Sequence, residues 1–123
     1  MYEISVTTRF PAAHQLRLAD GTLEPLHEHD WRVTVTLASR RLDSMGVVAD
    51  FGLIRARLAQ AIADLRGRNL GPLDAFAGEN PSAENVAGLI AGRMAPDLPE
   101  GVSLACVEVE EEPGCVARYV PES

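Results

Sequence analysis

Apolar and polar residues alternate from the start of the chain. Tyr2, Ile4, Val6 and Phe10 fall on one side, and Glu3, Ser5, Thr7 and Arg9 on the other. A period of two over residues 2–10 predicts a strand with one wet face. The pattern breaks over 11–26, where Asp20-Gly21 signals a turn and Pro25 lies near the end, so this segment reads as a loop. Alternation returns over 29–38: Trp31, Val33, Val35 and Leu37 oppose Arg32, Thr34 and Thr36. Antiparallel pairing of this strand with the first is the simplest arrangement.

The period then changes. Phe51, Ile54, Leu58, Ile62 and Leu65 recur at helical spacing, Asp50 is placed to cap that helix, and Gly67 to end it. Residues 66–81 read as a second loop, marked by Gly71-Pro72, Gly78 and Asn80-Pro81. Ser82 stands at an N-cap position before a second helix lined by Val86, Ile90 and Met94, and Pro96 and Pro99 close it. From Val102 to Glu111 the period is two again, with Ala105, Val107, Val109 and Glu111 on one face and Glu108 and Glu110 on the other. Residues 115–120 make a last short strand. The order ββααββ predicts an α+β fold, an antiparallel four-stranded sheet with both helices on one face. No repeat or linker divides the chain, so residues 1–123 are expected to form one domain.

Glu111 continues the apolar face of Val107 and Val109, where a carboxylate is costly unless something pairs with it. One reading is that the strand has already left the core there. The other is a recognition carboxylate, which can accept two N–H donors from a flat heterocycle with an amino group beside a ring N–H, such as a guanine or pterin edge.

Composition narrows the function. A length of 123 residues allows a real core. A net charge of −7 argues against binding a nucleic-acid backbone. All eleven cations are Arg, which excludes lysine Schiff-base chemistry. No apolar run is long enough to span a membrane, and no basic-then-apolar leader opens the chain, so a soluble, cytoplasmic protein is expected. Cys106 and Cys115 are not placed to pair across the Pro113-Gly114 turn and are expected to be free thiols.

The three histidines are the strongest signal. His14 follows F-P-A-A, and His27 and His29 form H-E-H at the threshold of the second strand. If that strand begins by His27, both rings share one face. A third ring from the preceding strand end completes a three-nitrogen site with one position open, the catalytic pattern for Zn2+ rather than the closed structural one. The competing reading is three ordinary loop histidines.

Five motifs in order resemble the 6-pyruvoyl-tetrahydropterin synthase / 6-carboxytetrahydropterin synthase family. F-P-A-A-H at 10–14 is similar to F-x-A-x-H, and H-E-H-D-W at 27–31 to H-G-H-N-Y/F. G-V-V-A-D-F at 46–51, N-P-S-A-E-N at 80–85 and the E-E-P segment from Glu111 to Tyr119 resemble G-M-V-x-D-F, N-P-T-x-E-N and E-T-P-x-x-x-A-x-Y. The resemblance implies the tunnelling fold (T-fold) and a hexamer of two stacked trimers with active sites between subunits. It implies His14, His27 and His29 as zinc ligands, Glu111 as the anchor of a pterin substrate, and Ser82 and Glu84 as further ligand contacts. For Asp50, Ser82 and Glu84, bracing of helix starts stands equally open.

The chain departs from the pattern at the proton-transfer groups. Leu23 stands where the family has its catalytic Cys, and Arg66 and Gly67 stand where it has an Asp-His pair. Arg66 and Arg68 either read an anionic group or are exposed loop residues. A branch of the family uses a Glu near the lost Cys and cleaves the side chain in an aldolase-like way, which makes Glu24 the candidate base. Asp30 and Glu28 are candidates to support a ligand histidine. Three functions follow: a zinc-dependent lyase acting on the side chain of a dihydroneopterin triphosphate type substrate, aldolase-like cleavage through Glu24, or a non-catalytic pterin- or purine-binding protein.

Overall fold

The computed structural model describes residues 1–122; Ser123, the last residue of the expected domain, lies outside the described residues. Four strands form one antiparallel sheet: β1 (Tyr2–His14), β2 (His27–Ser39), β3 (Val102–Glu112) and β4 (Cys115–Tyr119), in that order. The helices α1 (Phe51–Ala61) and α2 (Ala83–Met94) are inserted between β2 and β3, so the ββααββ order is as expected. Both pack on one face, where Val6, Phe10, Trp31, Val33, Val35, Val107 and Val109 meet Ile54, Leu58, Val86, Ile90 and Met94 in one buried cluster. The opposite face is polar. Its hydroxyls pair across β1 and β2, Ser5 with Thr36 at 2.8 Å and Thr7 with Thr34 at 3.0 Å.

Both caps form: the Asp50 carboxylate accepts from the Gly52 N–H, and the Ser82 hydroxyl from the Asn85 N–H. Cys106 and Cys115 are free.

Several boundaries differ from the expected ones. β1 runs to His14 instead of ending at residue 10. Pro11 is tolerated because β1 is an edge strand, where a missing N–H breaks no internal ladder. That edge is covered by the segment after α1. The Pro11 carbonyl accepts from Gly67, Ala13 donates to the Arg68 carbonyl, and Leu70 donates to the Ala13 carbonyl. β2 begins at His27 rather than residue 29. α1 ends at Ala61, and the chain continues in turns that still bury Ile62 and Leu65. Phe51, counted in the apolar stripe, is half exposed at the helix start. On β3, Leu104 faces the core rather than Ala105. An irregularity between Thr36 and Leu37 pairs Leu37 with Leu104 and Thr36 with Cys106, so the alternation slips by one there. The second loop also holds a 3-10 turn at Asp74–Phe76 that buries Phe76, a core residue the loop-like sequence hid.

Candidate metal centre

The histidines meet because two alternations run into one another. Even-numbered residues of β1 face the helices, which carries Phe10, Ala12 and finally His14 inward. Odd-numbered residues of β2 do the same for His27, His29 and Trp31. The register sets His14 opposite His27 and Ala12 opposite His29. The three rings therefore cluster where the core stripe opens toward solvent, with centroids 4.5, 4.7 and 5.4 Å apart. Trp31 forms the floor, its ring edge-on to His14 at 4.9 Å and its indole N–H donated to the Ala12 carbonyl at 3.1 Å.

Glu111 joins from β3, on the face of Val107 and Val109 as the alternation indicates. Its Oε1 lies 2.6 Å from His14 Nε2, 3.2 Å from His29 Nε2 and 3.9 Å from His27 Nε2. One ligand atom from each of the four residues lies within 4.8 Å of all the others, the one such cluster among the described residues.

The outer ring nitrogens explain what these atoms are for. His14 Nδ1 is 2.8 Å from the Pro81 carbonyl, and His27 Nδ1 is 2.9 Å from the Pro25 carbonyl. A carbonyl only accepts, so both rings carry a proton on Nδ1, and in the neutral ring Nε2 is a bare lone pair. His14 Nε2 is buried without a hydrogen-bond partner, because the nearby Glu111 oxygen is close but is itself an acceptor. Acceptors converging on one point repel unless a cation sits among them. Three imidazole nitrogens with an oxygen beside them form a donor set that fits Zn2+.

Of the other expected site residues, Glu24 is brought close. Its carboxylate accepts from the Leu16 N–H at 3.0 Å and lies 4.0 Å from His27 Nε2. Ser82 caps α2 one residue beyond Pro81, and Glu84 is exposed in the first turn of that helix; neither belongs to the cluster of four. Glu28 and Asp30 point to the other face of β2, where Asp30 pairs with Arg9 at 3.3 Å. Alternation sends them away from the ligands, and the histidines take backbone carbonyls as outer partners instead. Arg66 donates to the Arg9 carbonyl at 3.0 Å, and Leu23 is half exposed. Sequence reasoning missed Pro81 and Pro25 because a carbonyl leaves no mark in side-chain pattern.

A cavity of about 260 Å³ adjoins the cluster, lined by Gln15, Arg17, Leu23, Asn69, Asn80 and Pro81 among others. A larger groove of about 780 Å³ lies at the opposite end of the sheet, against Met1, Ser39, Leu42, Met45 and Leu53. Neither cavity is lined by the four converging residues; the smaller one lies nearer to them, through Gln15, next to His14, and Pro81, whose carbonyl meets His14 Nδ1.

An antiparallel sheet backed by two helices, with a three-histidine mouth at one end, defines a T-fold domain carrying a candidate metal site. The chain belongs to the 6-pyruvoyl tetrahydropterin synthase family, which it matches over residues 3–122. It is 34% identical over 115 residues to the 6-carboxy-5,6,7,8-tetrahydropterin synthase of Synechocystis sp., covering 89% of this chain and 86% of that one. It is 26% identical over 126 residues to the enzyme of the same name from Rickettsia bellii, covering 86% and 91%. Among solved structures, Caenorhabditis elegans 6-pyruvoyl tetrahydropterin synthase superposes with a TM-score of 0.84 at 20% identity, over 98% of this chain and 96% of that one. Plasmodium vivax 6-pyruvoyltetrahydropterin synthase, in a form with a catalytic glutamate replaced by alanine, gives 0.79 at 17% identity, over 96% of each chain. No helix among the described residues is long and apolar enough to cross a membrane.

Proposed function

We propose that this protein is a zinc-dependent lyase of the tetrahydropterin synthase type, acting on the side chain of a dihydroneopterin triphosphate or a near relative. The observation that carries this reading is the convergence of three histidine rings at the end of the sheet, two of which, His14 and His27, set Nδ1 on a backbone carbonyl and leave Nε2 bare. His14, His27 and His29 hold the ion, and their Nδ1 partners or strand positions fix the rings. A zinc ion held there supplies Lewis acidity toward oxygens of the substrate side chain. Glu111, about a quarter exposed on the open side of the cluster, accepts the N–H donors of the pterin edge. Ser82 and Glu84, at the start of α2, are further pterin contacts; the adjacency of Ser82 to Pro81 supports this for Ser82.

Glu24 serves as the general base that takes a proton from the side chain. Its carboxylate already lies 4.0 Å from His27 Nε2, while Leu23 offers no thiol. These two facts favour a second reading, in which Glu24 drives aldolase-like cleavage of dihydroneopterin. The Plasmodium vivax neighbour, a 6-pyruvoyltetrahydropterin synthase in which a glutamate is named a catalytic residue, supports a catalytic glutamate under either reading. A homohexamer of two trimers is the expected assembly, and the exposed β4 edge supports further strand pairing. The two free cysteines fit the cytoplasm.

The test is incubation of zinc-loaded protein with 7,8-dihydroneopterin triphosphate, with products followed by mass spectrometry. A pyruvoyl or carboxy pterin supports the first reading, and a product shortened to the hydroxymethyl pterin supports the second. Unchanged substrate at full zinc occupancy overturns both and leaves a pterin- or purine-binding protein.

A further inference from the structure

The N-P-S-A-E-N segment is more than a helix start. Asn80 grips the backbone of Arg17 at both ends: its Oδ1 accepts the Arg17 N–H at 2.8 Å, and its Nδ2 donates to the Arg17 carbonyl at 3.0 Å. Asn85, one turn into α2, donates its side-chain amide to the Asn80 carbonyl at 2.8 Å, while its backbone N–H goes to the Ser82 hydroxyl at 3.1 Å. Residues 80–82 are thus tied to the first turn of α2 by two bonds from one asparagine. Between them sits buried Pro81, which has no N–H to offer and whose carbonyl accepts from His14 Nδ1.

The Arg17 end leads to Glu24. Leu16 and Glu24 are joined twice, Glu24 N–H to the Leu16 carbonyl at 2.9 Å and Leu16 N–H to the Glu24 carboxylate at 3.0 Å, and Arg17 is bridged to Leu23 alongside. Gln15 adds a side-chain bond to the Glu24 carbonyl at 3.0 Å. This small hairpin has no helix or strand of the core beneath it, since Arg17, Leu18, Thr22 and Leu23 are all exposed. Asn80 therefore ties it to α2.

We propose that Asn80 and Asn85 are positioning residues that couple the zinc ligand His14 to the carboxylate of Glu24. Through Pro81 they hold the acceptor that fixes the tautomer of His14, keeping Nε2 free as a donor to the metal. Through Arg17 they hold the hairpin that sets the distance of Glu24 from the histidines. The inference rests on the metal reading above and extends it to residues that touch neither ion nor substrate. An outer partner of a ligand histidine is worth about 10–100-fold in metal affinity. Asn80 is one step further out, so the lower half of that range is expected.

The experiment compares wild type with Asn80→Asp, Asn80→Ala and Asn85→Ala. Zinc affinity is measured by equilibrium competition with a chromogenic chelator, and the nitrogen protonation of His14 by long-range proton–nitrogen NMR on zinc-free protein. Asn80→Asp keeps the acceptor for the Arg17 N–H and its shape, so it serves if either alanine variant fails to fold. Expected are a roughly 10-fold loss of zinc affinity in the alanine variants, a smaller loss in Asn80→Asp, and a His14 ring shifted from a single Nδ1–H form to a mixture. A merely structural role lowers the melting temperature and leaves the ring pattern of the folded protein untouched. Wild-type zinc affinity and an unchanged His14 pattern in folded variants overturn the clamp alone. Wild-type protein that binds no zinc overturns the metal reading, and the clamp falls with it.

Discussion

His14 and His27 stand directly opposite one another in the β1–β2 register, their rings 4.5 Å apart and edge-on. The pairing is a property of strand register, since a slip of one residue sends every β2 side chain to the other face. The hydrophobic stripe Trp31, Val33, Val35 and Leu37 fixes that register, so the burial that folds the sheet also assembles the candidate metal ligands.

The first prediction concerns that pair. His27→Ala leaves two histidines and a carboxylate, and because His27 is about a third exposed it removes only part of the packing on His14. Zinc affinity should fall by more than the roughly 100-fold typical of an outer partner, with the fold retained. Metal analysis after dialysis, together with circular dichroism, checks both halves. Full zinc occupancy in the variant removes His27 from the ligand set.

A substitution at Glu111 tests the proposed metal and pterin sites separately. Glu111→Gln keeps the shape but replaces one oxygen acceptor with a donor and removes the charge. Hydrogen bonds to a charged group are worth about 1.5–3 kcal/mol, so pterin affinity should weaken by about 10–100-fold. Zinc should stay bound through the three histidines. Calorimetric titration of a pterin into the zinc-loaded variant measures the first, and chelator competition the second. If zinc is lost and pterin binding kept, Glu111 is a metal ligand and not the anchor.

Much of this is legible in the residue pattern, for stated reasons. Alternation locates all four strands and puts Glu111 on the inward face, and spacing locates both helices and both caps. Two kinds of feature escape it. Pro11 makes the end of β1 look like loop, although an edge strand tolerates it, and so the pattern places His14 after the strand when it is the strand's last residue. The irregularity at Thr36–Leu37 exchanges Ala105 for Leu104 in the core, because a bulge is set by strand pairing and not by composition. The site shows the same division. The histidine cluster can be read from H-E-H and a third histidine. The Pro81 and Pro25 carbonyls that orient its rings are backbone atoms brought near by the fold, His14 and Pro81 being 67 positions apart in sequence.

Glu24→Gln tests the base. The amide can still accept from the Leu16 N–H, so the hairpin should hold while the proton acceptor is lost. General-base removal costs about 100- to 10,000-fold in turnover, with zinc occupancy unchanged. The ratio of kcat to wild type on a dihydropterin substrate measures this. Unchanged turnover returns Glu24 to a purely structural role in the hairpin.

Trp31 is the floor of the site and among the largest fully buried side chains. Trp31→Phe removes the indole N–H that satisfies the Ala12 carbonyl and leaves a gap beneath His14. Ala12 keeps its place opposite His29 in the ladder, so the cost is one lost hydrogen bond, about 0.5–1.5 kcal/mol, plus the gap, and urea unfolding of zinc-free protein should show a loss of at least that amount. Zinc affinity should also drop, since the ring no longer seats His14 and His29 from below. A variant as stable as wild type shows that neither the indole N–H nor the filling of that space contributes to the fold.

The last prediction is a pH dependence. Hydrogen bonds from the Arg93 guanidinium to Asp64, at 2.7 and 3.1 Å, hold the Asp64 carboxyl below its ordinary value. Arg93 also donates to the Ala61 carbonyl at the end of α1, so the pair joins the two helices. A carboxyl with a lowered folded pKa contributes stability that is fully present above its unfolded value and is lost as pH falls through the folded one. Both side chains are partly exposed, so solvent screening limits the contribution to about 0.5 kcal/mol. Asp64→Asn should therefore be less stable than wild type at neutral pH by about that amount, and the two should converge in acid below the ordinary carboxylate range. Urea denaturation of both proteins, free of zinc so that metal binding adds nothing to the native state, gives the difference at each pH. A difference that persists unchanged into strong acid shows that the substitution removes something other than the charge of Asp64, such as the geometry that lets Arg93 reach Ala61.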